Sequence, residues 1–596
     1  MLNFRIRKNL PELIAGLMLF IMFILGATSM AGDSLTMDEL SHIPAGYSYI
    51  TQRDMRINAE HPPLIKDLAG LPLLFIRGIN FPTNEDVWVN GLNNQWDYGH
   101  VFLFEMNNPA SLMIFWSRIP MLFVLMILGI YLFKWTSEIF GKRAGLLALF
   151  LYTFSPTFLA HGRLVTTDVG AAAGAFVASY YFVKFLKSNT KKNLIFAGIA
   201  FGIAELLKFS LILLLPLFAL TATIWVFSKT ENWKSFLKTL FSFAVYSIII
   251  VTIGYLLLYP IYLYHVSGYP VERQLSDTEL LLASSNLRPL ADLVIFMADK
   301  PILRPYAQYA LGLLMVFQRV SGGNTTYFMG EITSVAWANY FPVVYLIKET
   351  IVFHLITLIS LIITLIALLK GIVIKSSKNT LRRIKDWVSS HIDEICMATF
   401  IVIYWISSLR ANLNIGVRHL LPVFPLTFAL VAGIFYAKIF NPPNLKIKYG
   451  ILALLVGWQV VSVLSVYPHF LSYFNEFIGP KNGYQYVADS NLDWGQELKR
   501  LNLWLEEQNI KTIYIDYFGG SDVKYYLGDK AQSWWGTRDP NELPRGSYLA
   551  VSATFLDGGR GKPIKGYDGD HGFYDWLNQY QPVTVIGNSM FVYYIK

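Results

Sequence analysis

The stretch DELSHIPAGYSYITQRDMRINAEHPPLIK, residues Asp38–Lys66, follows closely on the apolar run Leu10–Ala31. A run of that length is enough for a helix to cross a bilayer, which takes about twenty residues. The Asp38-Glu39 pair at its end, with Glu60-His61-Pro62-Pro63 further along, is chemically unusual. Carboxylates at a bilayer surface are costly to desolvate, so they belong to solvent, to an ion site or to a reaction centre. The remaining sequence reads as a scaffold that brings other polar groups to face this stretch.

The chain has 596 residues, 54% hydrophobic and only 15% charged, which excludes an ordinary soluble protein. The first run is long for a signal peptide and lacks a convincing small-residue cleavage site, so it is expected to be a retained helix. A formal charge of +9 raises the question of nucleic acid. The basic residues, however, sit largely in short loops between apolar runs, as positive-inside topology produces in a membrane protein. Cys396 is the single cysteine, which rules out an intramolecular disulfide.

Outward from the opening stretch, Arg5, Arg7 and Lys8 place the N-terminus in the cytoplasm. Asp38–Asn108 then lies outside. Met37–Tyr49 and Pro62–Phe75 carry apolar residues at helical spacing and are expected as short helices along the outer membrane surface. Further spans are expected at Leu112–Phe133, Leu146–Leu159 and Gly170–Phe185, with an outer turn at His161–Asp168. A hairpin or broken pair follows over Leu194–Phe227, with Lys208 near its outer turn. Spans at Phe241–Leu258, Phe341–Leu369, Ile395–Ile406, Leu420–Tyr436 and Ile451–Val466 bring the total to about eleven. Tyr259–Asn339 forms a second large outer segment, and Lys375, Lys378, Arg382, Arg383 and Lys385 mark a cytoplasmic loop.

Residues 1–470 are thus expected as the transmembrane domain and 471–596 as a small extracytoplasmic α/β domain. Glu497–Gln508 is helix-like in that last part. Thr512–Tyr517, Tyr548–Ala553, Val583–Ile586 and Met590–Tyr594 are strand-like.

Sidedness, assigned from the basic loops alone, puts Asp38, Glu39, Glu60, Asp168, Lys208, Arg418 and His419 on the outer side. Several carboxylates beside several cations suit a reaction that expels a phosphate. A carboxylate takes a proton from an attacking hydroxyl, and Arg, Lys and His hold the departing charge. Plainer readings stand beside this one. Glu60 and His61 also suit the cap of a helix after Pro62, Asp168 suits the cap of the next span, and Lys208 suits snorkelling. His42 and His61 lie near carboxylates, but the spacing matches no closed metal site.

Asp38-Glu39, Glu60-His61-Pro62-Pro63 and Asp168, in this order and spacing, resemble the motifs of a known family. It is the polyprenyl-phosphate-dependent membrane glycosyltransferases of the GT-C architecture, specifically the protein O-mannosyltransferase and lipid A aminoarabinose transferase group. The resemblance is carried by the N-terminal third. It implies an α-helical polytopic membrane fold and inverting transfer of one sugar from a polyprenyl-phosphate donor to a protein, lipid or polysaccharide acceptor outside the cytoplasm. It further implies that Asp38 is the base, with Glu39 beside it. Glu60 and Asp168 would position acceptor or donor sugar, and Arg418 would be a phosphate ligand. His419, Lys208, His61 and Arg163 complete the expected phosphate-binding set. His61 stands where relatives carry Lys. No metal or other cofactor is expected, although the carboxylates could support a divalent cation.

Three other functions compete. Oligosaccharyltransferase-like transfer from a pyrophosphate-linked glycan would call for Trp-Trp-Asp in the C-terminal part. This chain has Trp534-Trp535-Gly536 there, and Trp96-Asp97-Tyr98-Gly99 in a different loop. A lipid-linked sugar transporter would call for ionisable residues inside spans, where Glu205 and Lys208 are the only weak candidates. A non-catalytic assembly subunit would leave Asp38 and Arg418 dispensable.

Overall fold

The computed structural model describes residues 9–373, 380–440 and 444–596. Arg5, Arg7, Lys8, Lys375 and Lys378, which the sidedness expectation uses, lie outside these residues. Among the described residues, seven helices are long and apolar enough to cross a membrane: Leu10–Ala31, Ala110–Phe140, Thr167–Lys187, Phe209–Lys229, Trp233–Val266, Ile392–Arg410 and Leu445–Leu464. Tyr340–Lys348 and Ile351–Ala367 form a further pair, bent by 115°. The protein is an integral membrane protein, and its helices read accordingly. In the first, Leu13, Leu17, Phe20 and Ile24 are exposed along one stripe, while Ala15, Leu19, Met22 and Gly26 are buried on the other. Inside and outside are both apolar, which only a hydrocarbon solvent tolerates.

Three expected spans appear as shorter helices, Lys142–Thr153, Lys191–Leu207 and Phe424–Ile439. The expected span Leu146–Leu159 is interrupted because Pro156 cannot continue a helix. Ser155 turns extended there, and its hydroxyl accepts the Phe158 N–H at 3.3 Å to start the short helix Pro156–His161. The expected break in Leu194–Phe227 falls at Lys208, whose backbone is extended between two helical segments.

The helix expected at Met37–Tyr49 spans Glu39–Gln52 and does not lie along a surface: its residues from Glu39 to Gly46 are all buried. Gly46 explains how it packs, since a Cβ there would run into the backbone carbonyl of Lys66 on the neighbouring helix Leu64–Gly70. That second helix continues as the tighter turn Leu71–Phe75, where Leu71, Leu74 and Phe75 are exposed, as an interfacial segment requires.

The strands lie in the long segment after residue 266 and in the C-terminal part. A hairpin of β1 (Thr326–Phe328) and β2 (Glu331–Thr333) comes from the long segment after residue 266. The C-terminal part supplies β3 (Ile513–Asp516), β4 (Ala531–Ser533), β5 (Tyr548–Ser552), β6 (Lys562–Pro563), β7 (Thr584–Ile586) and β8 (Met590–Tyr594). The larger sheet has the order β4-β3-β5-β8-β7, parallel at β4-β3-β5 and antiparallel from β5 onward. Helix Leu498–Glu507 lays Leu498, Leu501 and Leu505 on Ile513, Ile515, Ala550 and Val592, the apolar stripe of an amphipathic helix. β6 leaves this sheet and pairs with β2, Glu331 opposite Lys562, which ties the C-terminal part to the long segment after residue 266.

The C-terminal part also clamps the end of the first span. The Ser34 N–H donates to the Gln496 carbonyl at 2.9 Å and the Met37 N–H to the Trp494 carbonyl at 3.0 Å. These bonds put Trp494 beside the helix that begins after Asp38.

Candidate active site

A cavity of about 200 Å³ opens where the ends of several helices meet. Asp38, Glu60, His61, Asp168, Lys208, Arg418 and His419 all line it, although they come from five separate stretches of chain. Ionic contacts link them in a row. Arg418 Nη1 donates to Asp38 Oδ2 at 2.5 Å and lies 3.5 Å from Asp168 Oδ2. Lys208 Nζ donates to Asp168 Oδ1 at 2.5 Å. The order is therefore Asp38–Arg418–Asp168–Lys208, with charges alternating.

Each member is positioned by its local fold. Asp38 immediately precedes the helix Glu39–Gln52, without a side-chain capping bond, and Asp168 sits in the first turn of Thr167–Lys187, where the helix dipole favours a negative charge. Lys208 reaches Asp168 because the chain breaks from helix to extended at that residue. Arg418 lies on a single turn, Val417–Leu420, after Gly416, whose φ of 106° favours glycine. The Trp494 ring stacks on the Arg418 guanidinium at 4.3 Å, a cation–π contact supplied by the C-terminal part. Burial alone would lower the Arg418 pKa, but Asp38 and then Asp168 raise it above the ordinary arginine value.

Glu60 is held differently. Gln95 Nε2 donates to its Oε1 at 2.6 Å and Asn93 Nδ2 to its Oε2 at 3.0 Å. Behind it, Lys66 Nζ lies within 2.8–2.9 Å of the Tyr49 hydroxyl, the Asn58 and His61 carbonyls and Asn58 Oδ1. This pins the Asn58–His61 turn, and burial pushes the Lys66 ammonium down to about 7.

His42 Nδ1 donates to the Val165 carbonyl at 2.8 Å, and its ring meets that of His61 edge-on at 5.1 Å between centroids. Burial lowers the pKa of both imidazoles, and beside His61 the charges of His42 and Lys66 lower it further. Burial, then Lys208, does the same to His419.

A stability consequence follows. These rings stay neutral in the folded protein below the ordinary imidazole value of about 6.5, whereas the unfolded chain takes up protons there. Their contribution to stability is thus present above about pH 6.5 and is lost as pH falls below it. We expect the thermal midpoint to drop between about pH 7 and pH 5.5, and His61→Gln to make that drop shallower.

Two expected site residues are elsewhere. Glu39 is fully buried behind Asp38. It accepts Arg118 Nη2 at 2.6 Å and Nε at 2.8 Å, the Val165 N–H at 3.0 Å and both donors of Thr36. With every lone-pair direction taken, it faces the protein rather than the cavity. Arg163 is likewise buried and ion-paired with Asp33 at 2.7 Å, and Asp33 is shared with Arg500. Through Asp33 it ties the turn His161–Asp168 to the C-terminal part, and it contributes no group to the cavity lining.

Arg319, Trp96 and Ser41 do line the cavity, though no motif singles them out as site residues. Arg319 projects from the helix Arg304–Gly322 and, among the described residues, has no carboxylate partner. No group of three or more His, Cys, Asp and Glu able to hold a metal ion occurs among the described residues.

Residues 112–257, less than half of the chain, match the family model described as dolichyl-phosphate-mannose-protein mannosyltransferase. Over that segment the chain is similar to this family of glycosyltransferases. No curated protein matches the chain. Among solved structures it is similar to the archaeal oligosaccharyltransferase AglB from Archaeoglobus fulgidus, in complex with an inhibitory peptide and a dolichol-phosphate. That likeness has 13% identity, covers 92% of this chain and 70% of that one, and has a TM-score of 0.43. It is also similar to ArnT from Cupriavidus metallidurans bound to undecaprenyl phosphate, at 10% identity, 97% coverage of each chain and a TM-score of 0.28.

Proposed function

We propose that this protein is a glycosyltransferase that transfers one sugar from a polyprenyl-phosphate carrier to an acceptor hydroxyl on the outer face of the membrane, with inversion at the anomeric carbon. The observation that carries the reading is the alternating row Asp38–Arg418–Asp168–Lys208 inside a single cavity. An acceptor oxygen attacks the anomeric carbon and its proton goes to Asp38. The carbon–oxygen bond to phosphate breaks with its electrons on the phosphate, which Arg418, Lys208 and Arg319 hold. Phe209, Leu213, Val316 and Val320 give the cavity an apolar side for the isoprenoid chain.

The pairing of Asp38 with Arg418 suggests an order of events. Asp38 Oδ2 accepts from Arg418 Nη1, so that oxygen is turned to the guanidinium rather than to an acceptor hydroxyl. A phosphate arriving at Arg418 competes for that guanidinium and releases Asp38 for proton transfer. Donor binding thereby prepares the base.

Residues 471–596 are proposed as the extracytoplasmic part that completes the site, on the strength of the Trp494 stack on Arg418. We also propose that side-chain cations, rather than a divalent metal, stabilise the leaving group. Asp38 and Asp168 already have cationic partners and both Glu60 oxygens accept amides. Transfer by protein dialysed against EDTA is expected to stay within about twofold of the untreated enzyme; loss restored by a divalent ion would reverse that assignment.

The transferase reading is tested with radiolabelled polyprenyl-phosphate sugars, purified protein and membrane extract as acceptor. Transfer by the wild type supports it. No transfer from any monophosphate donor, with transfer from a pyrophosphate-linked one, would replace it with the oligosaccharyltransferase-like reading. Because Arg319 has no carboxylate to leave, Arg319→Gln is expected to weaken undecaprenyl-phosphate binding by about tenfold. The loss should shrink at high salt, where an exposed charge is screened. Unchanged binding at low salt would remove Arg319 from the phosphate site.

A further inference from the structure

A second cavity, of about 180 Å³, lies back to back with the first. Two pairs of consecutive residues form the partition: Phe341 and Ile415 face the first cavity, and their neighbours Tyr340 and Asn414 face the second. Arg418 and Asp489 stand on the two sides of this wall and attract each other electrostatically. Four separate parts of the chain build the second cavity. They are the β1–β2 hairpin, the start of the helix Tyr340–Lys348, the loop before Arg418 and the C-terminal part, with Phe518 and Tyr567.

Its polar groups are half used and half free. Asn414 is 3% exposed, and its Oδ1 accepts the Trp337 N–H at 2.7 Å, which fixes the amide orientation. Its Nδ2 has no hydrogen-bond partner among the described residues. Asp489 repeats the arrangement: its Oδ1 accepts the Ser490 N–H at 2.6 Å, while its Oδ2 has no partner among the described residues. Its φ of 52° lies in the left-handed region, a conformation that costs energy and is held by its surroundings. Burial raises its carboxyl to about 6. A rigid donor and a rigid acceptor thus face the same small space, beside the rings of Tyr327, Phe518 and Tyr567.

We propose that this second cavity is the acceptor subsite and that it binds a pyranose ring, so that the acceptor is a glycan. This rests on the transferase reading of the first cavity. A pyranose presents hydroxyls that both donate and accept at its edge, and a face of C–H groups. The first suit the pair Asn414 Nδ2 and Asp489 Oδ2, and the second suits an aromatic ring. The volume is below that of a pocket for a drug-sized molecule and admits about one ring. The partition keeps a ring seated there away from Asp38, so the attacking hydroxyl belongs to a neighbouring ring of the same glycan, which sits in the first cavity.

The test uses the full-length protein in detergent. Saturation-transfer NMR is run with a panel of methyl pyranosides (gluco, manno, galacto and N-acetylglucosaminide) and, separately, a threonine-containing hexapeptide. Undecaprenyl-phosphate binding is measured in parallel. Asp489→Asn keeps an oxygen for the Ser490 N–H and a residue type that tolerates positive φ, so the fold is retained. Tyr567→Ala provides an independent lesion.

At least one glycoside should bind the wild type and weaken about tenfold or more in both variants, with undecaprenyl-phosphate binding retained or, in Asp489→Asn, tightened. Absence of any glycoside binding, or equal binding by both variants, would overturn the proposal. So would a hexapeptide that binds instead and is lost in the same variants. A wild type that binds glycoside but no undecaprenyl phosphate would leave the sugar site standing and remove the transferase reading on which its acceptor role depends.

Discussion

Asp38→Asn is expected to lower sugar transfer by about 10²–10⁴-fold, the range a positioned general base supplies. The substitution is nearly isosteric and keeps an oxygen that can accept the Arg418 Nη1 donor, found at 2.5 Å in the wild type. What it removes is proton affinity and negative charge. The freed guanidinium keeps Asp168 at 3.5 Å and its stack on Trp494, so Arg418 stays in place. Undecaprenyl-phosphate binding should therefore be retained or tightened, because a guanidinium with one fewer carboxylate is more available to a phosphate. Single-turnover transfer and equilibrium binding, measured on the same preparations, separate the two effects. Transfer within about threefold of wild type would exclude Asp38 as the base, and Glu60 would be the next carboxylate to test.

Arg118→Ala should have the second-largest effect, and on stability rather than chemistry. It strands Glu39, which is 0% exposed and takes two of its bonds from that guanidinium. Breaking a buried pair by removing one partner costs roughly 3–5 kcal/mol, because the remaining charge has neither water nor a counter-ion. Glu39→Gln should be milder, since the amide oxygen still accepts from Arg118, and the folded fraction should retain transfer. The thermal midpoint in detergent, together with transfer per folded molecule, decides between roles. A Glu39→Gln protein with a normal midpoint and no transfer would make Glu39 a catalytic group after all.

Asp38 and Glu39 show how far the sequence could be read. Both are acidic, adjacent and placed outside by the basic-loop rule, so nothing local distinguishes them. Successive helical positions point about 100° apart, and the packing of the Glu39–Gln52 helix turns one carboxylate to the cavity and the other to Arg118. Arg163 was misplaced for the same reason: an outer arginine suits a phosphate until Asp33 is found beside it. That Asp38, Glu60, His61, Asp168, Lys208, Arg418 and His419 gather at one place was legible, because interrupted hydropathy marks the positions where polar groups reach the ends of membrane helices. Arg319 and Trp494 gave no such signal. One is a lone cation on an otherwise ordinary amphipathic helix, and the other a tryptophan in a loop, with partners far away in sequence.

Elements were legible in a similar way. Helix Leu498–Glu507 and strands β3, β5, β7 and β8 fall where periodicity places them. β1, β2, β4 and β6 are two or three residues long and exist through pairing, as in the registry of Glu331 with Lys562, so periodicity had too little length in which to appear.

By itself, the sequence determined that the chain lives in a membrane, where helices begin and break, and which polar residues gather at their ends. These depend on hydropathy and backbone chemistry, which act over one or two turns of chain. Only the tertiary structure decided which carboxylates face a cavity and which are spent on buried cations, and that a second cavity stands behind Arg418. Electrostatic pairing depends on distance in space: Arg418 and Asp38 are 380 residues apart in the chain and 2.5 Å apart in the fold.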